Sequence, residues 1–173
     1  MPLWIVALLL VTPPQSPAKS PVPSAAVVVP GEECPALILS RTGGLGSEGK
    51  GGVVVAVWFS GVILRAESPL RPSGPHIVGR LAPSGVADLL NRASDSRVWN
   101  LRSGGVAFDS PMDELLLLRG KDRIGWVETP GFNSTSELDR LRQQLFAVAI
   151  EQSRRIEGAI DGHWKCPATT WVR

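Results

Sequence analysis

Gly44-Leu45-Gly46-Ser47-Glu48-Gly49 carries the glycine spacing of a dinucleotide fingerprint, and Gly44 to Gly49 followed by Lys50 spells most of a phosphate-cradling loop. Both motifs work by aiming the N-terminus of a following helix at a phosphate. Here the next segment is Val53 to Phe59 (VVVAVWF), a β-branched and aromatic run that reads as a strand. Position 51 is Gly where a metal-bound nucleotide needs a hydroxyl. Kinase-type glycine loops do lie between strands, but Ala56-Val57 leads to Trp58 where the phosphate-pairing lysine belongs. The stretch is therefore expected to be a hairpin loop, and no cofactor is expected.

Other reactive groups are sparse. His163-Trp164-Lys165-Cys166 is the one local pairing of a base with a thiol, and it falls in a Gly- and Pro-flanked tail that would hold a nucleophile poorly. His76, His163, Cys34 and Cys166 add up to four zinc ligands, but without the regular spacing of a metal site, so no metal is expected. Asp109, Asp113 and Glu114 cluster around Pro111 and read as solvated turn acids, not as a buried carboxylate pair for glycoside hydrolysis. Of the six tryptophans, Trp58, Trp99 and Trp126 fall in strand-like segments and are expected in the core; Trp164 and Trp171 are the candidate exposed contacts. Asn133-Ser134-Thr135 has the form of a glycosylation sequon, at a position where the serine also suits a helix cap. No catalytic residue is assigned.

The chain that must position these groups has 173 residues, with 18 Lys+Arg against 16 Asp+Glu and 43% hydrophobic residues. That balance is too even for generic nucleic-acid binding, so no nucleic-acid partner is expected. Leu3 to Val11 is an unbroken apolar run of nine residues, far below the roughly 20 a helix needs to span a bilayer. With Ser16-Pro17-Ala18 behind it, the run resembles a signal-peptide core cleaved after Ala18, although no Lys or Arg precedes it. Cys34 lies too far on to be a lipid-modified first residue, so the product is expected to be secreted or periplasmic with no transmembrane anchor after processing. Residues 19–31 read as a Pro-rich linker, 32–162 as a single domain and 163–173 as a tail. In an oxidising compartment Cys34 and Cys166 are able to pair; otherwise they are two free thiols.

Within the domain, strands are expected at 36–40, 53–59, 62–67 and 76–81, with Ser60-Gly61 as a tight turn. Pro83 suits a helix first turn, and Val86, Ala87, Leu89, Leu90 and Ala93 form the apolar stripe of a short helix. Further strands are expected near 98–101, 114–118 and 123–128. A long helix over about 136–160 follows, opened by a Ser134/Glu137 capping box and striped by Leu138, Leu141, Leu145, Val148, Ala149 and Ile156. The expected fold is α+β, a mostly antiparallel sheet with one short and one long helix packed on one face. Because Val53–Phe59 is apolar throughout, the strand should be central, and the face away from the helices must be covered as well.

Leu39-Ser40-Arg41-Thr42-Gly43-Gly44-Leu45-Gly46, and Gly79-Arg80-Leu81-Ala82-Pro83 leading to Leu89-Leu90, resemble segments of small extracytoplasmic bacterial proteins of uncharacterised function. More loosely, the order of elements over residues 36–157 is similar to emfourin-type inhibitors of thermolysin-like metalloproteases. This resemblance implies a non-enzymatic domain whose partner is a protein, a protease in the family's case. It supplies no diagnostic site residue. The candidate contact surface is the loop Gly43, Gly44, Leu45, Gly46 and Lys50, or the sheet face opposite the helices. Two other readings remain: a small hydrolase using His76 or His163 as base, and a structural piece of the cell envelope.

Overall fold

A computed structural model of the chain describes residues 29, 31, 33–43, 51–100, 110–129, 136–158, 160 and 164–171. The leader-like segment, Gly44 to Lys50, Asp109, the Asn133–Thr135 sequon with the Ser134 cap, and His163 lie outside them. The elements are β1 (Leu37–Thr42), β2 (Gly52–Val57), β3 (Val62–Ala66), β4 (His76–Arg80), α1 (Pro83–Asp95), a 3-10 turn (Arg97–Asn100), β5 (Met112–Arg119), β6 (Asp122–Glu128), α2 (Ser136–Ala147), β7 (Glu151–Ile156) and β8 (Thr169–Trp171).

The fold is α+β, built on one eight-stranded sheet in the order β7-β4-β3-β2-β1-β5-β6-β8. The sheet is mixed, a correction to the expectation of a mostly antiparallel one: β8 runs parallel to β6, while the other neighbours are antiparallel. The parallel pair arises because the tail, expected as an appendage, joins the sheet.

β2 is interior, and every residue from Val53 to Trp58 is buried. A register shift opposite Leu39 and Ser40 makes Val54 the extra residue of a bulge, so Val54, Val55 and Val57 join the helix-side core while Val53, Ala56 and Trp58 join the opposite one. The strand ends two residues sooner than expected, at Val57. Phe59, 59% exposed, occupies the turn that Gly61 completes at φ 85°.

Both helices pack on one face, since Val86, Leu89 and Ala93 of α1 and Leu138, Leu141 and Leu145 of α2 share a core cluster with Leu37, Leu39, Ile63, Leu115 and Trp126. Their lengths correct the short-and-long expectation, for α1 has 13 residues and α2 has 12. The segment expected to continue the second helix turns back instead as β7 on the free edge of β4. Two features of β3 and β4 favour this. The Arg65 Nη1 donates to the Phe146 carbonyl at 2.5 Å with its guanidinium over the Phe146 ring, taking up an orphan carbonyl at the helix end. Gly79 lets β7 come close: a Cβ there would stand 2.2 Å from Ile150 Cγ2 and 2.7 Å from the Glu151 carbonyl oxygen. β7 is exposed from Glu151 to Arg155 and carries the charges of Glu151, Arg154 and Arg155, as suits an edge strand.

The strand expected near 98–101 is corrected as well. Arg97–Asn100 forms a 3-10 turn with Val98 and Trp99 buried, and Trp99 Nε1 donates to the Ala93 carbonyl at 2.6 Å at the end of α1. A two-residue apolar pair is buried equally well by a turn as by a strand.

Candidate functional site

On the sheet face away from the helices, the chain after β7 bends across β2 and β3. Ile156, Ile160 and Trp164 pack there on Val53, Ala56, Trp58, Val62, Leu64 and Val78. The Trp164 ring meets Trp58 edge-on with centroids 5.5 Å apart, and Trp58 Nε1 donates to the Glu33 carbonyl at 3.0 Å. Trp58, Trp99 and Trp126 are buried. Trp164 is half-buried as a wall of the structure, whereas Trp171 forms the end of β8.

The two cysteines are joined. Cys34 and Cys166 form a disulfide, with Glu33 and Lys165 bridged beside it, so the tail is fastened just ahead of β1 before β8 begins. Their sulfurs are bonded to one another and do not serve as thiolate ligands or nucleophiles. His76 is fully buried, its Nε2 2.9 Å from the Val53 carbonyl oxygen and its Nδ1 3.3 Å from that of Gly158. It braces β4 against β2 and the start of the tail, with no route for a substrate to its ring.

The tail thus borders a cleft of about 320 Å³ through Ile160, Trp164 and Cys166. The cleft is floored by Ile38 and Ser40 of β1 and Glu114 and Leu116 of β5, with Trp164 and Cys166 beside it, and Thr42, Gly51 and Gly52 mark the other end. Register explains the floor: Ser40 lies opposite Glu114, and Ile38 opposite Leu116, which in turn faces Gly125. Arg123 enters from β6 at the tail end, where β8 places Thr169 alongside. Its Nε donates to Thr169 Oγ1 at 2.6 Å. Partial burial pushes the Arg123 guanidinium below its ordinary value, and the negative charge of Glu114 pulls it back upward. No ion pair joins the two. Among the described residues, Glu114 accepts only a long bond, 3.5 Å, from the Ser40 hydroxyl.

On the opposite face of the same strands, Asp113 overturns its reading as a solvated turn acid. It is 1% exposed and takes two bonds from Arg41, Nε at 2.6 Å and Nη2 at 2.9 Å, together with Nη2 of Arg142 from α2. Arg142 also pairs with Asp139 one turn earlier. Strand alternation separates neighbouring acids: Asp113 ties α2 to the sheet, and Glu114 faces the cleft.

Two other hollows offer less. One between α1 and α2 is lined by solvated groups such as Asp88, Arg92, Glu137 and Arg140. Another beside Phe59, Leu81 and Leu90 has no charged group to orient a ligand.

Of the residues expected to make contacts, the structure brings Gly43 to the cleft's neighbourhood through Thr42, and places Trp164 in its wall; Gly44, Leu45, Gly46 and Lys50 lie outside the described residues. Ser40, Leu116 and Arg123 were not singled out in the sequence, and Glu114, read there as a solvated turn acid, stands in β5 facing the cleft. Their only signal there is the two-residue spacing of Glu114 and Leu116, masked by the run Leu115–Leu118. No protein-family model, curated protein or solved structure matches this chain.

Proposed function

We propose that this chain is an exported, non-enzymatic domain that binds a segment of another protein in the cleft beside the Gly43–Gly52 loop. The observation that carries the reading is the cleft itself, with apolar and charged groups held on interior strands. Sites on strands hold their geometry better than sites on loops. Export is supported by the pairing of the chain's two cysteines, a state that oxidising compartments maintain. No described helix is long and apolar enough to cross a membrane.

The resemblance to emfourin-type inhibitors makes a thermolysin-like metalloprotease the first partner to test. The oxidised protein is titrated into such a protease during turnover of a peptide substrate. Inhibition that Leu116→Glu abolishes, with the thermal midpoint of the variant unchanged, is the expected result. Full protease activity at a large excess of the protein removes the protease partner. Hydrolysis of added peptides by the chain alone would remove the non-enzymatic reading.

A further inference from the structure

The charges in the cleft have a polarity that names a more specific ligand. We infer, on the reading that the cleft binds a protein segment, that it receives the C-terminal end of a partner chain: an apolar last residue with its free carboxylate, and a basic side chain two residues before it.

Arg123 supplies the anion site. It stands half-buried at the end of the cleft where the disulfide fastens the tail, and its Nε is held by Thr169. That bond fixes the plane of the guanidinium while, among the described residues, neither Nη makes a hydrogen bond. A planar fork fixed on one edge and unoccupied on the other suits bidentate capture of a carboxylate. The partial desolvation that lowers Arg123 is relieved by an incoming anion.

Glu114 supplies the cation site. It projects from the same face of β5 as Leu116, and Arg123 lies opposite Leu118, four residues along β5 from Glu114. The backbone positions are therefore about 13 Å apart along the strand direction, and both side chains are long enough to narrow that gap. Among the described residues, Glu114 has no ion-pair partner of its own. Arg41, which also touches the cleft, is already engaged by Asp113 and the Pro69 carbonyl.

Between the two charges lie Ile38 and Leu116, with Trp164 beside them. In an extended peptide, residues two apart face the same way. A terminal Leu side chain laid on Ile38 and Leu116 thus puts its carboxylate toward Arg123 and a Lys two places earlier toward Glu114. At about 320 Å³ the cleft holds a few residues and no more, which favours a chain end over a folded epitope. The chain leaves past Thr42, Gly51 and Gly52 at the other end of the cleft.

The test is calorimetric titration of the full oxidised chain with N-acetylated Gly-Lys-Ala-Leu as the free acid, its C-terminal amide, and the same acid with Ala for Lys. The free acid is expected to bind, with amidation weakening it about tenfold or more. Arg123→Gln should impose a similar loss on the acid and leave the amide unchanged. Glu114→Gln should weaken the Lys peptide without weakening its Ala counterpart. Equal affinity for acid and amide in the unaltered protein overturns the inference and needs no variant to fold. So does full affinity for the acid after Arg123→Gln. If protease inhibition sensitive to Leu116→Glu persists while the tetrapeptide acid fails to bind, the chain-end ligand is wrong and the protein-binding role stands; loss of both defeats both.

Discussion

Replacing Asp113 by Asn removes one negative charge and almost no volume, and so isolates what that charge does. Asp113 is 1% exposed, and the two guanidiniums it holds, Arg41 and Arg142, are 12% and 16% exposed. Once the carboxylate is neutral, both cations remain in a nearly dry layer between α2 and the sheet. Breaking a buried pair from one side typically costs about 3–5 kcal/mol, because the stranded charge keeps its desolvation penalty and loses its attraction. For a domain of this size that corresponds to a fall of about 10–20 °C in thermal midpoint. Asp139 provides the contrast. It pairs with the same Arg142 but is 45% exposed, so Asp139→Ala should cost about 1 kcal/mol or less. Calorimetric and urea unfolding of the oxidised protein measure both. A third variant, Arg41→Met/Asp113→Leu/Arg142→Met, removes the whole charged set and should recover most of what Asp113→Asn loses. The reasoning is refuted if Asp113→Asn stays within about 1 kcal/mol of the unaltered protein, or if the triple variant is no more stable than the single one.

Removing the disulfide with Cys34→Ser/Cys166→Ser opens a loop of 132 residues and should lower unfolding free energy by about 4–5 kcal/mol in the chain-entropy estimate, read from the urea midpoint. Gly79→Ala forces a methyl into Ile150 and the Glu151 carbonyl; it should cost about 1–3 kcal/mol and speed amide exchange in β7 more than in β1 or β5. His76→Leu leaves the Val53 and Gly158 carbonyls without the ring, for an expected loss of about 1–3 kcal/mol by thermal unfolding. Intact mass of protein recovered outside the cytoplasm should correspond to cleavage near Ala18 and rise by two hydrogens on reduction; a retained Met1 with both thiols already free would refute export.

Local patterns were readable where a single physical cause dominates. The all-apolar run Val53–Val57 has no polar face to offer solvent, which marks an interior strand, and Pro83 ahead of Val86, Leu89 and Ala93 marks a helix that packs on a sheet. Leu138, Leu141 and Leu145 likewise announce α2. Its end was hidden because Val148, Ala149 and Ile156 continue the helical spacing with no Gly or Pro to break it; the unsatisfied edge of β4 and the gap at Gly79 decide the outcome, and both are tertiary. The cleft was hidden for a related reason. Glu114 and Arg123 share a face only through the register of β5 with β6, and Asp113 parts from Glu114 only because strand alternation sends adjacent residues to opposite sides. Trp164 sits between glycine and proline in sequence, and nothing local signals that it will fold back onto Trp58.

The segment that carries Ile160, Trp164 and Cys166 and ends in β8 is remote in sequence from the strands beneath the cleft, and a single covalent staple fixes it there. The wall of the cleft and its floor are thereby encoded in separate stretches of the gene, one around Ile160 to Cys166 and the other in β1, β5 and β6. Substitutions around Trp164 would therefore reshape the wall of the cleft while Ile38, Glu114, Leu116 and Arg123 beneath it stay as they are.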